Sequence, residues 1–591
     1  MNKNRLFYLI VAVSASITVS ACSAPQSPVN DQAAGPNVVE KKEANLKSPV
    51  EPEAADVDST VAQTENRRKL RSVAKTRIAP GMMMEQSMSM PSYGVPYNLR
   101  PPSEPINREN YAHLDENGIK LVSEHPVSTF SIDVDTGSYS NVRRLLNSGR
   151  LPRKDAVRVE EMINYFNYDY PLPRNKGTPF RVTTEIAPAP WNKNKHLLHI
   201  GIKGYNVAES ELPPANLVFL VDVSGSMRSA NKLGLLKSSL KLLSKNMDQR
   251  DRVTLVVYAG ASGVVLDPTP GNQSGKIIAA LDSLTAGGRT NGAAGIRLAY
   301  AMARQAYIKG GINRVILATD GDFNVGTVNF EALKNLVEEK RKSGITLTTL
   351  GFGSGNYNDR LMEQLADAGN GNYAYIDTLN EANKVLVSEM SSTLFTIAKD
   401  VKIQIEFNTN AVKEYRLIGY ENRMLKREDF NNDKVDAGDI GAGHTVTALY
   451  EVTLTGNATS SIDPLRYGGQ TSGPEQFSNE LAFLKLRYKK PGGSTSKLIK
   501  WPLNTTLVKS NINETSNPFR FSAAVAGFGQ LLRGGKYTKN FTMTDVRKLA
   551  ANSRGKDRFG YRGEFVSLVS LADSLSVRER LSRKETSKGI Y

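Results

Sequence analysis

The sequence is poor in the residues that most often carry redox or hydrolytic chemistry: 591 positions hold one cysteine, Cys22, five histidines and two tryptophans. A single thiol excludes an intrachain disulfide framework. With so few histidines and no cysteine beyond Cys22, no hydrolytic triad stands out. Long apolar runs are missing as well. The N-terminal run, residues 6–19, follows two cations, Lys3 and Arg5, and is too short to span a bilayer ahead of a soluble domain, so it reads as a secretory signal. No repeat of solenoid type is visible. Acidic residues are outnumbered, 59 against 76 Lys and Arg, for a formal charge of +17. Composition alone leaves nucleic acid, an anionic membrane or an acidic polymer as partners. A secreted chain removes nucleic acid from that choice. The length exceeds one ordinary core, so several domains are expected.

The apolar run ends Val19-Ser20-Ala21-Cys22, which resembles the lipobox of bacterial lipoproteins. The resemblance implies a signal peptide over 1–21, diacylation of Cys22 (palmitate among the chains) and a lipid anchor in the bacterial cell envelope. Ser23 in the next position implies sorting to the outer membrane. Residues 22–110 are rich in Pro, Ala, Ser, Glu and Met with little apolar periodicity, the composition of a disordered tether. Within it, a basic run at 66–71 reads as solvated linker. Met82, Met83, Met84, Met88 and Met90 are soft ligands of the kind that hold Cu(I), but a flexible linker tolerates methionine freely.

Residues 111–213 mix strand and helix signals. FSIDVD alternates like a strand, VRVEEMINYFNYDY has the spacing of an amphipathic helix, and FRVTTEIAPAP with HLLHIGIKGY reads as an antiparallel pair. Beyond residue 398, VKIQIEFN, EYRLIGYE, HTVTALYEVTL and LAFLKLRYK alternate apolar with polar, so each is expected to face a core on one side and solvent on the other. The economical arrangement is a β-sandwich assembled from segments before and after an inserted domain. From Pro518 the chain turns helical, making 399–591 β-rich and then helical. Between 214 and 398 five buried-strand runs (NLVFLVD, RVTLVVYA, NRVILATD, ITLTTLGFG, NYAYID) alternate with amphipathic helices. That order predicts an α/β domain with a doubly wound parallel sheet.

One stretch of this domain stands out: LVFLVDVSGSM, residues 217–227, runs an apolar strand into an acid and two hydroxyls. Open α/β sheets place their ligands at the carboxyl ends of the strands. Asp222, Ser224 and Ser226 occupy alternate positions there. GGRTNGAAG brings Thr290, and LATDGDFN brings Asp320 at the end of another strand. The donor set is oxygen only, which suits a hard divalent cation, Mg2+ or Mn2+.

The D-x-S-x-S of Asp222, Ser224 and Ser226, with Thr290 and the T-D-G of Asp320, resembles the metal-ion-dependent adhesion site of von Willebrand factor type A domains. The chain from 111 to 591 resembles the bacterial lipoproteins that carry such a domain. That likeness implies a Rossmann-like fold over 214–398. It implies a cation bound directly by the serines, directly or through water by the threonine and often through water by the aspartates. With few charges on the metal, an open position would accept a carboxylate from a protein partner.

Other motifs read as plain structure. VDTGS (134–138) resembles half of an aspartic protease site, but no second apolar D-T-G exists. DFNNDKVDAGD (429–439) has acids at calcium-loop spacing without the loop's Gly and closing Glu, and GFGSG (351–355) lacks a full phosphate-binding pattern. The expectation is therefore a non-enzymatic, membrane-anchored binding protein. Its rivals are an envelope scaffold whose metal site is structural, and an envelope enzyme with catalysis in the C-terminal region. A metal site plugged by the chain's own carboxylate would favour the scaffold, and a second cleft with paired, perturbed carboxylates the enzyme.

Overall fold

A computed structural model of the chain describes residues 109–588, apart from 133–134, 176, 289–291, 322–329, 457–459 and 464–476. The signal segment, Cys22, the tether up to residue 108 with its basic run and methionines, and Thr290 all lie outside the described residues.

The N-terminal flank supplies β1 (Lys120–Leu121), β2 (Val127–Ser131), α1 (Gly137–Asn147), α2 (Val159–Asn164), β3 (Phe180–Ala189) and β4 (Asn192–Gly204). The middle supplies β5 (Ala215–Asp222), α3 (Leu235–Ser244), β6 (Arg252–Tyr258), β7 (Ser262–Pro270), α4 (Ser274–Ser283), α5 (Gly292–Gln305), β8 (Ile312–Thr319), α6 (Phe330–Arg341), β9 (Thr346–Phe352), α7 (Asp359–Ala368), β10 (Tyr373–Ile376), α8 (Leu379–Asn383) and α9 (Met390–Leu394). The remainder gives β11 (Thr396–Phe407), β12 (Val412–Ile418), β13 (Ile440–Gly441), β14 (Thr445–Leu454), β15 (Glu480–Lys489), β16 (Ser496–Asn504), α10 (Asn517–Leu532), α11 (Met543–Asn552) and α12 (Tyr561–Lys588).

The middle segment is the expected doubly wound domain, with strand order β10-β9-β8-β5-β6-β7. β5 lies between β6 and β8, parallel to both. Leu217, Phe219 and Val221 of β5 enter one core and Val218 and Leu220 the other. Helices therefore cover both faces, which is why the strand reads as an unbroken apolar run. Sequence patterning missed β7, which pairs antiparallel with β6 at the sheet edge. Its Pro268 and Pro270 donate no backbone hydrogen bond, and an edge tolerates that loss.

Segments from both sides of this domain form two antiparallel sheets around it. One has the order β1-β12-β14-β4-β3, and the other joins β2, β11, β13, β15 and β16. Phe130, Ile200, Ile403, Tyr450 and Leu484 belong to a single apolar core between them. The doubly wound domain is thus an insertion in a discontinuous sandwich.

Two expectations need correction. β14 does not face solvent on its second side: Leu449 packs there, with Leu197 of the neighbouring β4, in one core with Phe519, Phe521 and Phe565 of α10 and α12. The sequence over 157–170 is helical only in α2. Asp169 takes a left-handed φ of 54° and Pro171 disfavours helix before it. Tyr165, Phe166, Tyr168 and Tyr170 consequently leave the helix and enter the same helical core.

Buried ion pairs dock the inserted domain on its host. Arg143 of α1 bonds Asp377 and Glu381, and Arg158 bonds Asp359 and Glu363. Arg423 reaches Asp135 at 3.2 Å, Glu363 at 3.4 Å and Asp367 at 2.9 Å. Such pairs repay their desolvation only with both partners present, so they specify one docking geometry more than they add stability.

Residues 214–395 expressed alone should unfold cooperatively, because both faces of their sheet are covered from within. Residues 399–510 alone should not, since half a sandwich leaves an apolar face and open edges. Thermal melts followed by circular dichroism on the two fragments test this, and a cooperative melt of the second would contradict it.

Candidate metal centre

β5 and β8 run side by side and end together, with Val221 level with Ala318. Asp222 is thus the last residue of one strand, and Asp320 follows the last residue of the other. Both are fully buried. Asp222 is held from three sides. Its Oδ1 accepts the Ser224 N–H at 2.8 Å, while Oδ2 accepts the Thr319 hydroxyl at 2.9 Å and the Tyr258 hydroxyl at 3.3 Å. Burial pushes its pKa up, and the hydrogen bonds from Ser224 pull it back.

Beyond Asp222 the chain makes a 3-10 turn over Gly225–Arg228. The turn brings the Ser224 and Ser226 hydroxyls together, hydrogen-bonded to each other at 3.0 Å. Mg2+–oxygen bonds of about 2.1 Å at right angles put neighbouring ligand oxygens about 3.0 Å apart. The two hydroxyls thus match one edge of such an octahedron. A second loop is pinned alongside: Gly287 N–H donates to Val223 O at 2.8 Å and Gly225 N–H to Gly288 O at 3.1 Å. Thr290 lies just outside the described residues. Gly321, next to Asp320, has φ +83°, and a Cβ there would sit 2.4 Å from the Asn358 nitrogen. The T-D-G glycine is therefore required by both backbone conformation and space.

Sequence reasoning missed the group that meets Asp320. Lys232, buried in the turn before α3, places Nζ 2.7 Å from Asp320 Oδ2 and 3.0 Å from Asn356 Oδ1. The Asn356 amide also donates to Asp320 Oδ2 at 3.3 Å. Gly353, with φ +77°, leaves room for the lysine stem, which a Cβ would approach to 2.4 Å. In GFGSG, Gly351 and Phe352 end β9 and residues 353–355 bend away from it, where they form a wall of this site. No motif marked Lys232, since a lysine at a helix start is ordinary.

Among the described residues no group of three Asp, Glu, His or Cys side chains is placed to hold a metal. The donor set here is two carboxylates and hydroxyls, all hard oxygen, and it fits a divalent cation.

Family models match in three consecutive blocks: "von Willebrand factor" over 105–199, "von Willebrand factor type A domain" over 216–389, and "Uncharacterized protein YfbK, C-terminal" over 392–575. The "Uncharacterized protein YfbK" of Escherichia coli (strain K12) is 50% identical over 473 residues, covering 79% of this chain and 81% of its own length. The chain belongs to the YfbK family. Inter-alpha-trypsin inhibitor heavy chain H3 of Homo sapiens is 27% identical over 43% of the chain, a match spanning 31% of that larger protein. Among solved structures, von Willebrand factor type A from Catenulispora acidiphila has 14% identity and a TM-score of 0.37, covering 66% of this chain and 89% of its own.

The other motifs of this YfbK-family chain behave as ordinary structure. Asp135 of VDTGS accepts the Tyr373 N–H at 2.8 Å and pairs with Arg423. In the 429–439 segment, Lys402 Nζ donates to the carbonyls of Asp429 and Asn432, and Lys489 Nζ to that of Asp433. Arg487 meets the Asp433 and Asn431 side-chain oxygens, at 3.4 and 3.3 Å, that a calcium ion would need.

Asp222→Ala would leave the Tyr258 and Thr319 hydroxyls and the Ser224 N–H without their buried acceptor. The expected destabilisation is about 1–3 kcal/mol, with Asp222→Asn losing less, as read from denaturant midpoints. Equal stability of wild type and Asp222→Ala would show that this carboxylate does not organise the rim.

Proposed function

We propose that this chain is a non-enzymatic binding protein of the bacterial cell envelope. In this reading acyl chains on Cys22 anchor it in the outer membrane, and it captures a partner protein through an acidic group of that partner. The carrying observation is the convergence of the Ser224 and Ser226 hydroxyls, 3.0 Å apart, in front of two buried aspartates. Proteins with von Willebrand factor type A domains are commonly interaction or adhesion proteins, which supports the reading. Ser224, Ser226 and Thr290 would hold Mg2+ or Mn2+, and Asp320 would balance its charge. Asp222 positions the Ser224 backbone. The cation, when bound, supplies an electrophilic position that a partner's carboxylate completes. Lys232 occupies Asp320 with the chain's own positive charge, so it opposes a divalent ion at the same carboxylate. No helix among the described residues is long and apolar enough to cross a membrane, so this reading gives the anchoring to Cys22.

Isothermal titration calorimetry on wild type should find one divalent ion per chain, and Asp320→Ala should weaken it about 10-fold or more. Lys232→Met should move the other way, tightening Mn2+ by about 10-fold as the competing charge leaves. Crosslinked partner should disappear from intact cells in chelator and with Asp320→Ala. If wild type binds no divalent ion, the adhesion reading is wrong and a scaffold role replaces it.

Cys22→Ser should abolish acyl labelling and move the protein to the soluble fraction, because stable attachment rests on the lipid chains. Retention of the variant in membranes after a high-salt wash would contradict the anchor.

A further inference from the structure

At the edge of the inserted sheet opposite the metal centre, a cavity of about 210 Å3 lies between the inserted domain and the sandwich. Arg314, near the start of β8, lines it from one side and Asp439, just before β13, from the other. Arg314 is 3% exposed. All its hydrogen bonds leave from Nη1, to Thr348 Oγ1 at 2.9 Å, the Thr393 carbonyl at 2.8 Å and Asn372 Oδ1 at 3.5 Å. Nε is buried with no partner. A guanidinium without a counter-ion is an expensive thing to bury.

The other charges around the cavity are matched. Arg423 pairs with Asp367, and Arg341 with Asp436. Asp439 is not: it is partly exposed and accepts the Asp400 N–H at 3.3 Å. Lys399 acts on it electrostatically, but no ion-pair partner is found for Asp439 among the described residues. Arg314 and Asp439 make no contact ion pair with each other, although the Asp439 charge acts on Arg314 at a distance and offsets part of its burial. The cavity thus offers one unanswered cation and one unanswered anion, with Asn372 and Ser392 supplying further polar lining.

We propose that this cavity binds a small zwitterion of amino-acid type, its carboxylate on Arg314 and its ammonium on Asp439. Burial lowers the Arg314 pKa to about 10 and raises that of Asp439 to about 7, outweighing the distant charges of Asp439 on Arg314 and of Lys399 on Asp439, the direction expected where no counter-ion is in contact. A zwitterion answers both at once, whereas a phosphate dianion would bring excess negative charge beside Asp439, Asp436 and Asp367. The volume fits a small ligand, since about 150 Å3 accommodates benzene. Clefts between domains are common ligand sites, and here the ligand would touch both the inserted domain and its host. The chemistry is shared by free amino acids and by the ends of short peptides.

The test uses the full chain at pH 7.5, by thermal shift and calorimetry, with free glycine, alanine, serine, asparagine and glutamine in both enantiomers where they exist. A second arm uses the corresponding dipeptides, and a third uses the N-acetyl and amide derivatives, which keep one charge each. At least one free amino acid or dipeptide should raise Tm, and which arm responds identifies the source. Its N-acetyl and amide forms should bind at least about 10-fold more weakly, as should the parent ligand to Arg314→Met and Asp439→Asn. Should Arg314→Met fail to fold, Asp439→Asn makes the same comparison. Chelator should leave this binding unchanged, separating it from the metal centre. Absence of any shift from the panel, or N-acetyl and parent forms binding alike, would overturn the proposal.

Discussion

The pairing of β4 with β14, His196–Val452 through Lys203–Thr445, is the constraint on which the rest of the molecule depends. It joins a strand made before the inserted domain to one made after it, so neither half of the sandwich can bury its apolar face alone. The chain must close a long loop to form it, at a cost that grows only slowly with loop length. An autonomously folded inserted domain would shorten the effective loop. The host in turn fixes that domain through the ion pairs of Arg143, Arg158 and Arg423. These charges cannot slide past one another without exposing a buried, unpaired member.

This architecture separates two kinds of site. The rim built by Asp222, Ser224, Ser226 and Asp320 lies at the carboxyl ends of the strands, where strand-to-helix loops converge and hydroxyls can point into a crevice. The cavity around Arg314 lies at the amino ends and has walls from two modules. The rim carries an internal cation, since Lys232 lies on Asp320. At the cavity, Arg314 and Asp439 await a ligand's charges. Hard oxygen chemistry suits the first, and paired opposite charge suits the second.

Much of the inserted domain was legible because its strands are buried on both faces and its helices on one. Burial of that kind writes itself as apolar runs and as 3.6-residue periodicity. Four of the five motif positions meet at the rim for the same reason: strand ends in a parallel sheet are neighbours in space, and the fifth, Thr290, lies outside the described residues. β7 and β16 escaped notice because edge strands need no strong pattern. The aromatic run at 165–170 misled because aromatic spacing does not distinguish a helix face from an irregular segment packed in a core.

The amino-acid sequence by itself determined the α/β class of residues 214–398, the sandwich segments on both sides, and the oxygen-rich set Asp222, Ser224, Ser226 and Asp320. These are consequences of local pattern and of strand order. Only the tertiary structure decided that Lys232 meets Asp320, that Arg143 and Arg158 are shared between modules, and that Arg314 and Asp439 face one cavity unpaired. Those relations join residues far apart in the chain, and charged side chains look the same in sequence whether they end in water, in an ion pair or in a buried pocket. Their partners are set by the packing of whole modules, which no local window of sequence contains.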